Sequence, residues 1–297
     1  MTKRYILPCL LLGLLLPSLS SATPDDSATS ATPQQSPTKL EQDERTQLLL
    51  IPASIDGKPC YLLLDTGATH TTLDRNFCKE ELPNHPLQDV LLIGTTNVKT
   101  PPQLITLDRF EVAGKALPSP AAMVVDLSPL RKALSLPIAG ILGMNHLGVA
   151  PFRLSVAERQ FEWLSNSPVT SGFQEIPADL TNNKIRVTGK TDHGSLPMIV
   201  DSAASHTFVP AGLWPEGDQS SSYQVTTING HKGDAPKFKQ GQALDLKLND
   251  ALTLKQVVPN LYSDKKEALL GVDLLKSMDI IIDVPAQRLY ANTRDHN

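Results

Sequence analysis

The stretch LLLDTGATHTTL, residues 62 to 73, runs three leucines straight into Asp65-Thr66-Gly67 and then into a second strand-like run from Thr69 to Leu73. A carboxylate at the end of a buried strand is costly unless something pairs it or uses it. Asp followed two residues later by Gly is also an ordinary turn composition. By chance alone D-T-G arises in on the order of one chain in twenty of this length. The rest of the chain decides whether Asp65 makes a turn, works alone or has a partner.

The chain repeats itself. YLLLDTGATHTTL (61–73) aligns with PMIVDSAASHTFV (197–209), which sets Asp65 against Asp201 at a spacing of 136 residues. A second anchor, AGILGMNHLGVAPFRLSVAERQFEW (139–163), aligns with EALLGVDLLKSMDIIIDVPAQRLYA (267–291) at a spacing of 128, Gly143 falling on Gly271. Phe152 then aligns with Ile280, Leu154 with Ile282 and Phe161 with Leu289. Two anchors in the same order at nearly equal spacing define two copies of one unit, residues 47–165 and 173–292, with a Pro, Ser and Gly-containing linker at 166–172. Short alternating runs such as FEVAGKAL, AMVVD and DLKL, broken by Gly, Asn, Asp and Pro, predict an all-β unit. LGMNHLG and LGVDLLKSM each predict one short helix, and residues 74–81 a further turn of helix in the first copy.

Each copy thus places one Asp in the same context. A pseudo-twofold arrangement brings Asp65 and Asp201 together, where two adjacent carboxylates share a proton and titrate as a pair. The ionised member can take a proton from water while the protonated member polarises a peptide carbonyl. The Thr66 and Ser202 hydroxyls suit hydrogen bonds that lock the two loops together. Gly67 and Ala203 fall where backbone N–H groups approach the carboxylates, which requires a tiny side chain. On these residues, and on Ile141-Leu142-Gly143 and Leu269-Leu270-Gly271, the chain resembles the aspartic peptidases. Its units are similar to retropepsin-type subunits, fused in tandem as in the bilobal pepsin-like enzymes. The resemblance covers both units. It implies two β-barrel lobes, a catalytic dyad of Asp65 and Asp201, loop support from Thr66, Gly67, Ser202 and Ala203, a polypeptide substrate, no cofactor and a single-chain pseudo-dimer.

The second motif departs from the family pattern, with Ala203 in place of Gly. The methyl is harmless where the backbone angles suit an L-residue. A shift of the dyad by around an ångström would instead cost on the order of a hundredfold in rate. Two function classes therefore stand: an aspartic endopeptidase, and a peptide-binding or scaffold protein that keeps the cleft without turnover. Substrate-covering flaps are expected at residues 94–100 and 228–233, the second marked by the Asn-Gly of TTINGHKG. Neither contains a counterpart of the Tyr carried by pepsin-like flaps.

At the N-terminus, Lys3 and Arg4, the apolar run from Ile6 to Leu16 and the small residues Ser20-Ser21-Ala22 have the layout of a secretory signal peptide, residues 1–22. Its apolar core is too short to remain as a membrane span. The expectation is an exported protein, periplasmic or secreted. Residues 23–46, rich in Pro, Ser, Thr and Gln, read as a disordered tether or a short pro-segment, and residues 293–297 as a tail. The formal net charge of −4 becomes −6 once Lys3 and Arg4 are lost, which argues against nucleic acid as a partner. Cys60 and Cys78 then remain, either paired as a disulfide around the first motif or as two free thiols. His70 and His206 recur at the same place in the repeat. No Cys or His partners stand at zinc-ligand spacing, so no metal is expected. Ser205 and His206, adjacent in the chain, do not make a triad.

Overall fold

The Leu62-Leu63-Leu64 run forms the end of a central strand, Lys58–Leu64, whose three leucines are buried. In the computed structural model it lies between Leu49–Ile55, paired antiparallel, and Gly140–Leu142, paired parallel with Leu64 beside Leu142. The hairpin joining the first two turns at Asp56-Gly57, with φ of +50° and +82°, the left-handed pair that tight β-turns require. The structure describes residues 36–85, 87–89, 103–118, 121–166, 168–222, 237–262 and 267–294. These belong to one unit, residues 34–297. The signal-peptide segment, residues 23–35 and both expected flaps, 94–100 and 228–233, lie outside the described residues.

The second half repeats the first. Gly194–Val200 lies between Arg186–Thr191, antiparallel, and Ala268–Leu270, parallel, with Val200 beside Leu270. Among the described residues, thirteen strands between Thr38 and Trp163 recur as thirteen between Gln174 and Thr293. Each half curls into its own ten-stranded sheet with the strands in corresponding order. The architecture is two β lobes related by a pseudo-twofold.

A third sheet joins them. Its six strands run in the order Thr38–Lys39, Gln160–Trp163, Phe152–Ser155, Met278–Asp283, Arg288–Thr293, Gln174–Ile176, three from each half. Phe152 pairs with Ile282 and Leu154 with Ile280. The repeat alignment exchanges these two pairs, so the twofold passes through the middle of this seam. Phe152, Phe161 and Trp163 pack under it with ring centroids 4.9–6.0 Å apart. Across it, Arg153 meets Asp279 at 2.5 Å, and within the second half Arg294 meets the same carboxylate at 2.8 Å. Burial works against the charge on Asp279, yet hydrogen bonds from Arg153, Ser155 and Arg294 hold its carboxyl below the usual range.

One expectation is corrected. Ordered chain begins well before residue 47. Thr38–Lys39 pairs with the seam, Glu41–Gln42 pairs with Leu49–Ile55, and Leu40 and Asp43 are fully buried. Leu40 supplies an apolar anchor, and edge pairing satisfies the polar backbone on either side of it. The two halves also differ in helix content. Met144–Leu147 and Val272–Leu275 are equivalent, but the first half adds Arg75–Glu81, capped by Asp74, and Ser128–Ala133. Of the two alternatives left open for Cys60 and Cys78, the structure has the free thiols. Cys60 sits in strand Lys58–Leu64 opposite Ala53, whereas Cys78 turns into the core from helix Arg75–Glu81. Burial pushes both thiols up to about 12, which leaves little thiolate for oxidation. No helix among the described residues is long and apolar enough to cross a membrane.

Candidate active site

The two Asp loops emerge side by side from the parallel-paired strands. Asp65 N–H donates to Leu142 O at 3.1 Å and Asp201 N–H to Leu270 O at 3.0 Å, which continues each parallel ladder by one bond. The chain then turns. The N–H groups of Gly67 and Ala68 donate to Asp65 Oδ1 at 2.9 and 2.8 Å. Those of Ala203 and Ala204 donate to Asp201 Oδ1 at 2.9 and 3.1 Å. Each carboxyl is thus fixed by its own loop.

Four buried bonds tie the loops to each other. Thr66 N–H donates to Ser202 Oγ at 3.0 Å, and Ser202 N–H donates to Thr66 Oγ1 at 3.0 Å. Thr66 Oγ1 donates to Val200 O at 2.8 Å and Ser202 Oγ to Leu64 O at 2.7 Å. Each hydroxyl donates once and accepts once, so no polar atom of the lock is left without a partner in a fully buried place. The lock holds the strands that deliver both aspartates, and so fixes where their carboxyls stand.

Burial pushes both carboxyls above the usual range, and the charge of Asp201 pushes Asp65 further; backbone N–H donors oppose both shifts without cancelling them. The carboxyl of Asp201 lies against the bare face of Gly67, where an added Cβ would come within 2.6 Å of its Cγ. Gly67 is therefore required for space, since its φ is not left-handed. Ala203 likewise has no left-handed φ, so its methyl costs no backbone strain.

A second tier of bonds supports the loops. Thr71 N–H donates to Asn145 Oδ1 at 2.7 Å, and Gly143 N–H to Thr71 Oγ1 at 3.0 Å. In the other half Thr207 binds Asp273 through its N–H (2.9 Å) and its hydroxyl (2.7 Å), and accepts from Gly271 N–H at 3.1 Å. Gly143 and Gly271 pass so close to the carbonyls of His70 and His206 that neither has room for a Cβ. Sequence reasoning missed Thr71, Asn145, Thr207 and Asp273. The signal was present, because the first pair of positions recurs at spacing 136 and the second at 128.

The fully buried carboxylate of Asp43 was missed too. It accepts from Arg45 N–H, Thr46 N–H and the Thr46 hydroxyl on one oxygen, and from Ser135 and Leu136 on the other. Thr46 O in turn accepts from Ser205 Oγ at 2.7 Å, which ties this hub to the second Asp loop.

His70 is exposed and pairs with its neighbour Thr69, Nδ1 to Oγ1 at 2.9 Å. It also lines a recess of about 400 Å³ with Thr71, Met123 and His146. His206 is half-buried on the second loop. Among the described residues, the group with ligand-like spacing is Asp56, His85 and Asp108. His85 Nδ1 lies 2.8 Å from Thr106 O, while Nε2 faces Asp56 at 3.2 Å and Asp108 at 4.0 Å. Asp56 also accepts from Arg109 N–H, so the group closes the hairpin through a His–carboxylate contact.

A family model described as aspartyl protease matches residues 51–146, a span that contains Asp65 and the strands around it. The match supports a peptidase-type activity on polypeptide substrates. Comparison with curated proteins gave no match.

Proposed function

We propose that the chain is an exported, single-chain aspartic endopeptidase in which Asp65 and Asp201 form one dyad. The observation that carries this reading is the reciprocal lock between Thr66 and Ser202, which holds two buried carboxyl-bearing loops in register. One carboxyl, kept protonated, polarises the scissile carbonyl. The other takes a proton from water as the water oxygen bonds to the carbonyl carbon, with no covalent enzyme intermediate. Collapse of the tetrahedral species returns the protons and releases the amine. An extended peptide would gain affinity by strand pairing in the cleft. The two lobes are a pseudo-dimer within one chain, so we expect a monomer. The leader-like residues 1–22 support export.

The test is hydrolysis of a diverse peptide library between pH 3 and 7 by protein beginning at Thr23. Cleavage by this protein but not by Asp65→Asn is the expected result; equal cleavage by both would remove the assignment. Residue 203 favours a second reading, because it carries a methyl where Gly67 leaves bare backbone. A peptide-binding protein without turnover would bind library members, cut none, and gain hydrolysis in Ala203→Gly.

A further inference from the structure

The hydrogen bonds that hold one Asp loop have copies in the other, yet the two aspartates are not equivalent. Gly67 and Ala203 occupy the same place in the repeat, and each donates its N–H to the Asp of its own loop at 2.9 Å. A Cβ on Gly67 would stand 2.6 Å from Asp201 Cγ and 2.8 and 2.9 Å from its two oxygens. Position 203, the counterpart of Gly67 in the repeat, does carry a Cβ.

Carbon atoms in contact stand about 3.5 Å apart or more. The Asp65 carboxyl must therefore keep roughly an ångström further from residue 203 than Asp201 keeps from Gly67. Ala203 is partly buried against the hydrophobic core, and under the pseudo-twofold its methyl stands to Asp65 as a Cβ on Gly67 would stand to Asp201. An apolar neighbour disfavours the charged form of a carboxyl. The backbone donors facing the pair balance. Asp65 is met by the N–H groups of Gly67 and Ala68, Asp201 by those of Ala203 and Ala204, and the charge that acts on Asp65 is that of Asp201. Behind the loops the halves differ as well, Asn145 on the first side having Asp273 as its counterpart behind the Asp201 loop; within the loops themselves the difference is the methyl.

We propose that Ala203 is a positioning residue that fixes the roles within the dyad, so that Asp65 holds the shared proton and Asp201 is the carboxylate. The inference rests on the two-aspartate reading above. In the addition step, water gives a proton to Asp201 as its oxygen bonds to the peptide carbon. Asp65 gives its proton to the carbonyl oxygen. On collapse, Asp201 protonates the departing nitrogen as the C–N bond breaks, and Asp65 recovers its proton as the new carboxyl forms.

The experiment is a ¹³C carboxyl NMR titration of Asp-labelled protein, with the two resonances assigned through Asp65→Asn and Asp201→Asn, run beside the pH profile of kcat/KM. Wild type, Ala203→Gly and the exchanged variant Gly67→Ala/Ala203→Gly are compared. Asp65 should titrate last in the wild type. In Ala203→Gly the interval between the two steps should narrow by about half a pH unit or more, with the alkaline limb of the profile moving to lower pH. The exchanged variant should reverse the order. An unchanged order and interval in Ala203→Gly, or Asp201 titrating last in the wild type, overturns the inference. The titration reads proton order whether or not a peptide is cut. Correct order without hydrolysis supports the positioning by Ala203 and overturns the two-aspartate reading, whereas hydrolysis with unchanged order does the reverse.

Discussion

Replacing Asp43 by Asn should make stability at neutral pH fall to what the wild type has in acid. Asp43 is fully buried, and its two oxygens accept six hydrogen bonds, three from Arg45 and Thr46 and three from Ser135 and Leu136. Burial alone would raise its pKa. The donors from Ser135 and Thr46 outweigh that and lower it from the ordinary 3.8 to about 2. A carboxyl held lower in the folded state stabilises the fold above its unfolded value, and that contribution disappears as pH falls through the folded value. The difference between 3.8 and about 2 corresponds to about 2 kcal/mol. Asn presents an NH₂ where a donor already points and so imitates the protonated acid. Urea unfolding followed by Trp fluorescence at several pH values reads the effect. The variant should be about 2 kcal/mol less stable at pH 7, and the gap should narrow below pH 4 and nearly close at pH 2. A gap that stays constant down to pH 2 would refute the charge-based account, and no gap at pH 7 would refute the role of the hub.

The lock gives a second prediction: Thr66→Val strands Val200 O and Ser202 N–H in a buried place and should cost about 2–4 kcal/mol in urea unfolding, whereas a loss below about 0.5 kcal/mol would show that the loops are held by something else. The dyad gives a third. Burial and the neighbouring charge raise Asp65, so its ionisation opposes folding as pH rises above the unfolded value. Asp65→Asn should therefore stabilise the protein at pH 7 by on the order of 1–3 kcal/mol and do nothing at pH 3; equal thermal midpoints of variant and wild type at pH 7 would contradict it. The cysteines give a fourth. With both thiols pushed up to about 12, Cys60 and Cys78 should react slowly with iodoacetamide at pH 8 in the folded protein and fully once it is unfolded without reductant. Labelling that requires reductant would restore the disulfide.

Much of this was legible in the sequence because one unit is written twice. Asp65 and Asp201 stand 136 residues apart with matching apolar approaches, and those approaches are the parallel-paired strands that deliver them. Ile141-Leu142-Gly143 was readable because Gly143 has to pass a carbonyl at van der Waals limits, a demand that composition records. Other features left weaker traces. Thr38–Gln42 is polar except for Leu40, and edge strands need little apolar surface once their backbone is paired. Asp43 looks like any loop acid, since its partners at Ser135 and Leu136 are more than ninety residues away. Asn145 and Asp273 do the same work with different chemistry, an amide in one half and a carboxylate in the other, so identity matching passes over them. Ser128–Ala133 did carry a signal, with Pro129 in its first turn and Leu130 and Leu134 buried four residues apart.

The most direct measurement is kcat/KM of Asp201→Asn against wild type, on the library peptide that the wild type cuts fastest. Asp201 is the aspartate followed by Ser-Ala, and the whole account depends on its acting with Asp65. A drop of at least about a thousandfold, with the fold intact by circular dichroism, is the predicted result. Cleavage within a few-fold of wild type would mean that Asp201 is no part of the chemistry and that the lock between the loops serves only to hold the lobes together.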